Sequence, residues 1–243
     1  KTNKKTKYRL NMEGIFRPAW RPGHNEIAFI GNNGRSSDIY LFNLETEKLT
    51  NLTQDWFTDD QVSWHPNGEL LFFISDRNNT LETGIINKPE NHLIYQTDIY
   101  SFEIESGLIE RITNSSYNET YPCISKDGHM LAFISDKSGI NNIYLQDMEK
   151  TDSQAITNII TGITQLSWNG DNTQLIFTGF NNRGYDIYTL NNPIQILADS
   201  IKIPSAGWTN KPKDIELLHS EKRQENQYLI NQDKYQNYVF SGF

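Results

Sequence analysis

Three histidines, His24, His65 and His129, sit in similar Pro- or Gly-containing turns (RPGH, WHPNG and KDGH), a placement that raises the possibility of a shared metal ion. A zinc-type site demands nitrogen, sulfur or oxygen ligands within about 2 Å of one ion, and solvated residues on separate turns need not meet at that distance. His92 and His219 complete no cluster, and a single cysteine, Cys123, excludes a Cys-rich zinc site. The expectation is therefore no metal and no cofactor. Nucleophilic catalysis fares no better, because a Gly-x-Ser-x-Gly turn is absent and Ser205-Ala206-Gly207 and Ser241-Gly242 lack its flanks. Paired carboxylates across a pore would suit glycoside hydrolysis. The stretches that would line a pore (FRPA, DQVS, YPCI, TQLS and PSAG) are acid-poor, with Asp60 and Glu119 placed in adjoining loops. No catalytic residue is nominated, and the chain is expected not to be an enzyme.

Composition bounds the alternatives. The chain has 243 residues, a formal charge of -8 and 12% aromatic residues. An acidic protein of this kind is a poor nucleic-acid binder, since phosphate contacts want a basic face. Its one basic cluster, KTNKKTK, reads as a solvated terminus. No apolar run approaches the roughly 20 residues that span a membrane as a helix. The first residue is Lys1 rather than Met, which reads as a processed product or a trimmed piece of a longer chain.

The elements that must position any site come from an internal repeat. Phe29, Phe133, Phe177 and Leu217 are each followed 11 residues later by a tyrosine: Tyr40, Tyr144, Tyr188 and Tyr228. Trp20, Trp168 and Trp208 lie nine residues before the first, third and fourth of these apolar residues, and Ser125 takes the Trp position eight before Phe133. A fifth copy runs from Trp64 through Phe73 to Tyr100, with 16 extra residues between the last two. Starts recur every 40 to 44 residues apart from that insertion, which is the period of a four-stranded propeller blade.

Within each copy, short runs rich in β-branched and aromatic residues (IAFI, LLFFIS, LAFIS, LIFTG) alternate with Gly, Asn and Asp turns, the pattern of strands joined by hairpins. Helical periodicity is absent. The fold class expected is an all-β propeller of about five blades, at residues 16–56, 57–116, 117–159, 160–199 and 200–243. Residues 7–15 read as a separate outer strand, which either closes the ring and removes its exposed edges or is the remnant of a lost blade.

The repeated line resembles the TolB-like propeller repeat, also called the PD40 or WD40-like repeat. Matching stretches are Trp64-His65-Pro66-Asn67-Gly68, Ser75-Asp76-Arg77 and Asp98-Ile99-Tyr100, with Ser125-Lys126-Asp127-Gly128, Ser135-Asp136-Lys137 and Asn142-Ile143-Tyr144. Trp20-Arg21-Pro22-Gly23, Asp38-Ile39-Tyr40 and Asp186-Ile187-Tyr188 complete the set. The resemblance implies a binding or scaffold role in the bacterial envelope or outside the cell, as for periplasmic TolB. The first alternative it implies is an accessory propeller of a larger peptidase-type or outer-membrane protein, and the second a carbohydrate-active propeller. TolB itself carries a further N-terminal domain and six blades, so this chain is expected to be TolB-like rather than TolB.

The repeat Asp residues read as turn formers whose short carboxylates accept backbone N–H bonds, and the recurring Trp and Tyr as packing. What remains is surface. In a four-stranded blade the turn between strands two and three emerges on the same side as the link to the next blade. That side collects Trp56, Phe57, Ile85, Ile86, Tyr95, Tyr117, Phe180 and Tyr185, with acidic Asp59, Asp60 and Glu119. Aromatics in loops rimmed by polar groups compose a surface for a protein or peptide partner.

Overall fold

Short apolar runs bounded by turn residues can satisfy their backbone groups only by pairing with neighbours, and each repeat does so as one antiparallel sheet. The computed structural model describes residues 5–34, 36–85, 87–90 and 92–198. All of these fall in one unit, Lys1–Ala206; the other, Gly207–Phe243, lies outside the described residues together with the rest of the expected fifth blade.

Four sheets follow in chain order among the described residues. The first holds β1 (Gly14–Trp20), β2 (Glu26–Asn32), β3 (Ser37–Asn43) and β4 (Leu49–Asn51). The second holds β5 (Asp59–Trp64), β6 (Leu70–Ser75), β7 (Asp98–Glu103) and β8 (Ile109–Arg111). The third holds β9 (Glu119–Ile124), β10 (Met130–Ser135), β11 (Asn142–Asp147) and β12 (Ser153–Ala155). In the fourth, β13 (Ile163–Trp168), β14 (Gln174–Asn181) and β15 (Gly184–Asn191) are followed by α1 (Pro193–Ala198) rather than a fourth strand. This short helix departs from the four-stranded, all-β blade expected at residues 160–199. The first strands β1, β5, β9 and β13 lie beside one another and so line the axis.

The repeat landmarks are cross-strand partners. Phe29 opposes Tyr40, Phe73 opposes Tyr100, Phe133 opposes Tyr144 and Phe177 opposes Tyr188, with ring centroids 5.8, 5.7, 5.9 and 5.6 Å apart. The 11-residue spacing is thus the length of one hairpin, and the insertion lengthens a loop without moving the pair.

Three apolar cores fill the spaces between successive sheets. Leu71 and Phe73 of β6 pack toward the first sheet with Ala28, Ile30 and Ile39. Their neighbours Phe72 and Ile74 pack toward the third sheet with Leu131 and Phe133. Ala132 and Ile134 then face the fourth sheet with Leu175 and Phe177. Both faces of a middle strand are covered, which is why the runs are continuously apolar instead of alternating. The motif tryptophans tie the sheets together: Trp64 Nε1 donates to the Ala19 carbonyl at 3.1 Å, and Trp168 Nε1 to the Cys123 carbonyl at 3.2 Å. Trp20 belongs to the first described sheet and is 63% exposed.

Two expectations are corrected here. Residues 7–13 form no strand, while Gly14 and Ile15 open the axial strand β1. A tight turn from Met12 N–H to the Leu10 carbonyl takes the preceding chain out of the ladder. Asp59, Asp60 and Glu119 are likewise not in loops, since they begin the axial strands β5 and β9.

Candidate functional site

The loops of the candidate face stand on a repeated polar frame. The N–H of Ile39, Ile99 and Ile143 donates to the hydroxyl of Thr53, Thr113 and Thr157, at 3.1, 2.8 and 2.9 Å. Two residues beyond each threonine, the N–H of Asp55, Ser115 and Ile159 is accepted by Asp38, Asp98 and Asn142, at 3.3, 3.3 and 2.7 Å. Asp76 and Asp136 accept from the N–H of Thr58 and Asn118, just before the axial strands, at 2.8 and 2.9 Å. These side chains fix where each blade hands over to the next.

Beneath this frame lies an ionic cluster. Arg77, 1% exposed, donates from Nη2 to Asp59 at 2.7 Å and from Nε to Ser75 at 3.1 Å, and its Nη1 lies 3.2 Å from Asp55. The guanidinium sits 5.5, 5.2 and 5.7 Å from the ring centres of Phe57, Phe73 and Tyr100, an aromatic cage suited to a delocalised cation. Burial, and then the nearby Asp59 charge, raise the Asp55 carboxyl to about 7 against the pull of Arg77. Asp38, Asp55 and Asp59 bring carboxylate oxygens within 4.8 Å of one another. Arg77 already supplies the positive charge there, so the cluster reads as a structural ion network rather than a metal site.

In the third sheet Glu119 takes the place of Asp59: it pairs with Ser135 as Asp59 pairs with Ser75. Its Oε1 accepts from Ser115 at 2.7 Å and Ser135 at 3.2 Å, while its buried Oε2 has no hydrogen-bond partner. Lys137, at the position of Arg77, is exposed. Burial raises the Glu119 carboxyl to about 7, with Ser115 opposing.

The structure divides the expected surface residues into two sets. Phe57, Asp59 and Glu119 are buried and belong to this foundation, which corrects their placement on an exposed rim. The reason is that the ring of Phe57 closes on Arg77 and on His92, 5.5 Å away. Trp56 is 40% exposed and Tyr95 is 90% exposed, with Leu93 and Ile94 also open to solvent. Trp56 and the insertion are joined, because the Trp56 N–H donates to the Ile85 carbonyl at 2.6 Å. The insertion is anchored further by His92, whose Nε2 lies 3.2 Å from Asp76 Oδ2. Ile86 lies outside the described residues. Tyr117 is exposed above Glu119, linked to it through Ser115. Phe180 and Tyr185 pair with each other at 5.4 Å on the β14–β15 hairpin, in another sheet from Trp56. Asp60 is half-buried in an ion pair with Arg17 at 2.7 Å.

As for the histidines, His65 Nε2 lies 3.3 Å from the Gly128 carbonyl oxygen and His24 Nδ1 lies 2.9 Å from that of Pro22. They are turn and inter-sheet contacts, and no histidine joins a potential metal group among the described residues. Sequence reasoning missed Arg77 and Asp55. The available signal was that only the second copy has Arg after Ser-Asp, where the third has Lys.

Residues 85–239 match the model of the dipeptidyl peptidase IV N-terminal region. The chain belongs to this family. Its fold is that of the TolB-like propellers: TolB from Acinetobacter baumannii superposes with a TM-score of 0.60 at 20% identity, over 74% of this chain and 41% of TolB. A puromycin-hydrolyzing peptidase from Mycobacterium tuberculosis superposes with a TM-score of 0.57 at 15% identity, over 75% of this chain and 28% of the peptidase. The uncharacterized protein Atu1656 of Agrobacterium fabrum is 22% identical over 174 residues, 72% of this chain and 48% of that protein. The chain thus spans less than half the length of each of these relatives.

Proposed function

We propose that this member of the dipeptidyl peptidase IV N-terminal region family is a non-catalytic binding propeller whose loop face receives a polypeptide partner, at the cell envelope or outside the cell. The observation that carries the reading is the contrast between the two sides of one loop system. Trp56, Leu93, Ile94 and Tyr95 are presented to solvent, while their chain neighbours Phe57 and His92 are buried against Arg77 and Asp76. Exposed aromatics serve as anchors in protein interfaces, and a loop base that is already fixed lowers the ordering cost of binding. TolB and the matched family support a propeller that works with other protein parts.

A second reading is an accessory propeller serving a catalytic domain in a longer protein. The family match and the small share of the peptidase that the chain covers favour it. Replacing Trp56 and Tyr95 together by Ala tests the first reading. The expected outcome is a tenfold or greater loss of polypeptide captured from native extract, with an unchanged far-ultraviolet circular dichroism spectrum. Undiminished capture by the folded double variant would refute it.

A further inference from the structure

The axial strands share an irregularity that none of the turn or packing motifs explains. Arg17, Gln61, Tyr121 and Gln165 have φ of 52°, 58°, 53° and 57°, the left-handed region, where a residue with a side chain is uncommon. Each lies where the register of its strand slips by one residue: between Phe16 and Ala19, Asp60 and Ser63, Thr120 and Cys123, and Thr164 and Leu166. These are four equivalent β-bulges, one per sheet. In two of them the next residue is a proline, Pro18 or Pro122, so no ladder N–H is orphaned there. A bulge re-aims the side chain of its first residue, and here it does so at one level of four strands lining the axis.

Three of the re-aimed side chains meet. Gln61 Oε1 accepts the Tyr121 N–H, and the Arg17 guanidinium lies over the Tyr121 ring, 5.6 Å from its centre. Asp60 holds the arginine from behind, its Oδ1 forming an ion pair with Arg17 Nε at 2.7 Å and accepting from the Gln61 N–H at 2.8 Å. Arg17 Nη1 and Nη2 and the Gln61 amide nitrogen donate no hydrogen bond to another described residue. Arg17 borders two cavities, of about 480 and 390 Å³, within the size range of ligand sites. The larger reaches Ser37 and Thr58, at the strand ends that carry the loop face.

We propose that this ring is a carboxylate subsite, which takes an Asp or Glu side chain or the C-terminus of a polypeptide segment entering the axis. A guanidinium held at Nε and stacked on a ring presents its two terminal nitrogens as a fork that matches a carboxylate in two parallel hydrogen bonds. The Gln61 amide supplies a third donor beside it. Asp60 offsets part of the arginine charge, Asp59 also lines the larger cavity but is paired with Arg77, and among the described residues no second cation lines either cavity, so the site suits a monoanion better than a dianionic phosphate. The proposal deepens the partner-binding reading but uses residues distinct from Trp56 and Tyr95.

Ligand-observed NMR on the full chain tests it with three probes: an N-acetylated, C-amidated tetrapeptide containing one glutamate, the same peptide with glutamine, and free glutarate. Binding of the glutamate peptide is expected, at least tenfold tighter than the glutamine peptide and glutarate. Arg17→Gln and Arg17→Lys should each weaken it tenfold or more, the lysine variant because it keeps the charge and loses the fork, while Trp56→Ala with Tyr95→Ala should leave it intact. Equal binding of the glutamine peptide, or unchanged binding by both folded Arg17 variants, would overturn the subsite. Glutarate binding as tightly as the peptide would overturn the assignment to a polypeptide. Loss of binding only in the Trp56 and Tyr95 variant would remove the axial site while sparing the loop face.

Discussion

Arg77 is the side chain on which the candidate face rests, because it neutralises Asp59 and Asp55 in a space closed by Phe57, Phe73 and Tyr100. Removing one partner of a buried ion network leaves uncompensated charge, at a cost of about 3–5 kcal/mol. Arg77→Met should therefore lower the urea midpoint sharply, and adding Asp59→Asn should restore part of the loss. Glu119 offers the converse test. Its carboxyl is raised to about 7 in the folded state from an ordinary value of 4.5, so the folded protein binds the proton more tightly than the unfolded chain does. Stability from this group is fully present below about pH 4.5 and is lost as pH rises through about 7, by on the order of 3 kcal/mol. Glu119→Gln keeps an acceptor for Ser115 and Ser135 and carries no charge. It should match the parent in thermal melting at pH 5, exceed it at pH 8, and flatten the decline between them.

Single elements show what the sequence could and could not reveal. The spacing of Phe29 to Tyr40 or Phe133 to Tyr144 is a direct trace of cross-strand pairing, and the Thr with its Asp or Asn in the first three sheets marks caps that depend on local chain geometry. Such features are legible because their partners lie a fixed distance along the chain. The axial bulges were not legible: FRPA, DQVS, YPCI and TQLS carry Arg17, Gln61, Tyr121 and Gln165 at the bulge, with no residue type common to all four. Nor was the burial of Phe57, which depends on Arg77 and His92 arriving from the far side of a hairpin. The first turn of each copy is a further contact between sheets. Gly128 has φ +82°, and a Cβ there would collide with the His65 ring. Gly128→Ala should cost about 1–3 kcal/mol, measured as a lower urea midpoint, and His65→Ala in the same chain should recover the steric part.

At the scale of the whole molecule, the repeat predicted a propeller and the structure is one, with four sheets among the described residues and three cores between them. The repeat could not reveal which surface is used, because exposure depends on what neighbouring blades cover. The topology does separate two sides, and each carries exposed apolar residues. Tyr95 lies in the insertion between β6 and β7, while Leu108, 54% exposed, lies in the β7–β8 turn at the opposite end of the same sheet. The central claim is that the first of these sides receives a polypeptide. Its most direct test is to place a photo-crosslinking phenylalanine analogue at Tyr95 or at Leu108 and irradiate in native extract. Polypeptide adducts from position 95 and none from position 108 are predicted; adducts of equal yield from both, or from 108 alone, would contradict the account.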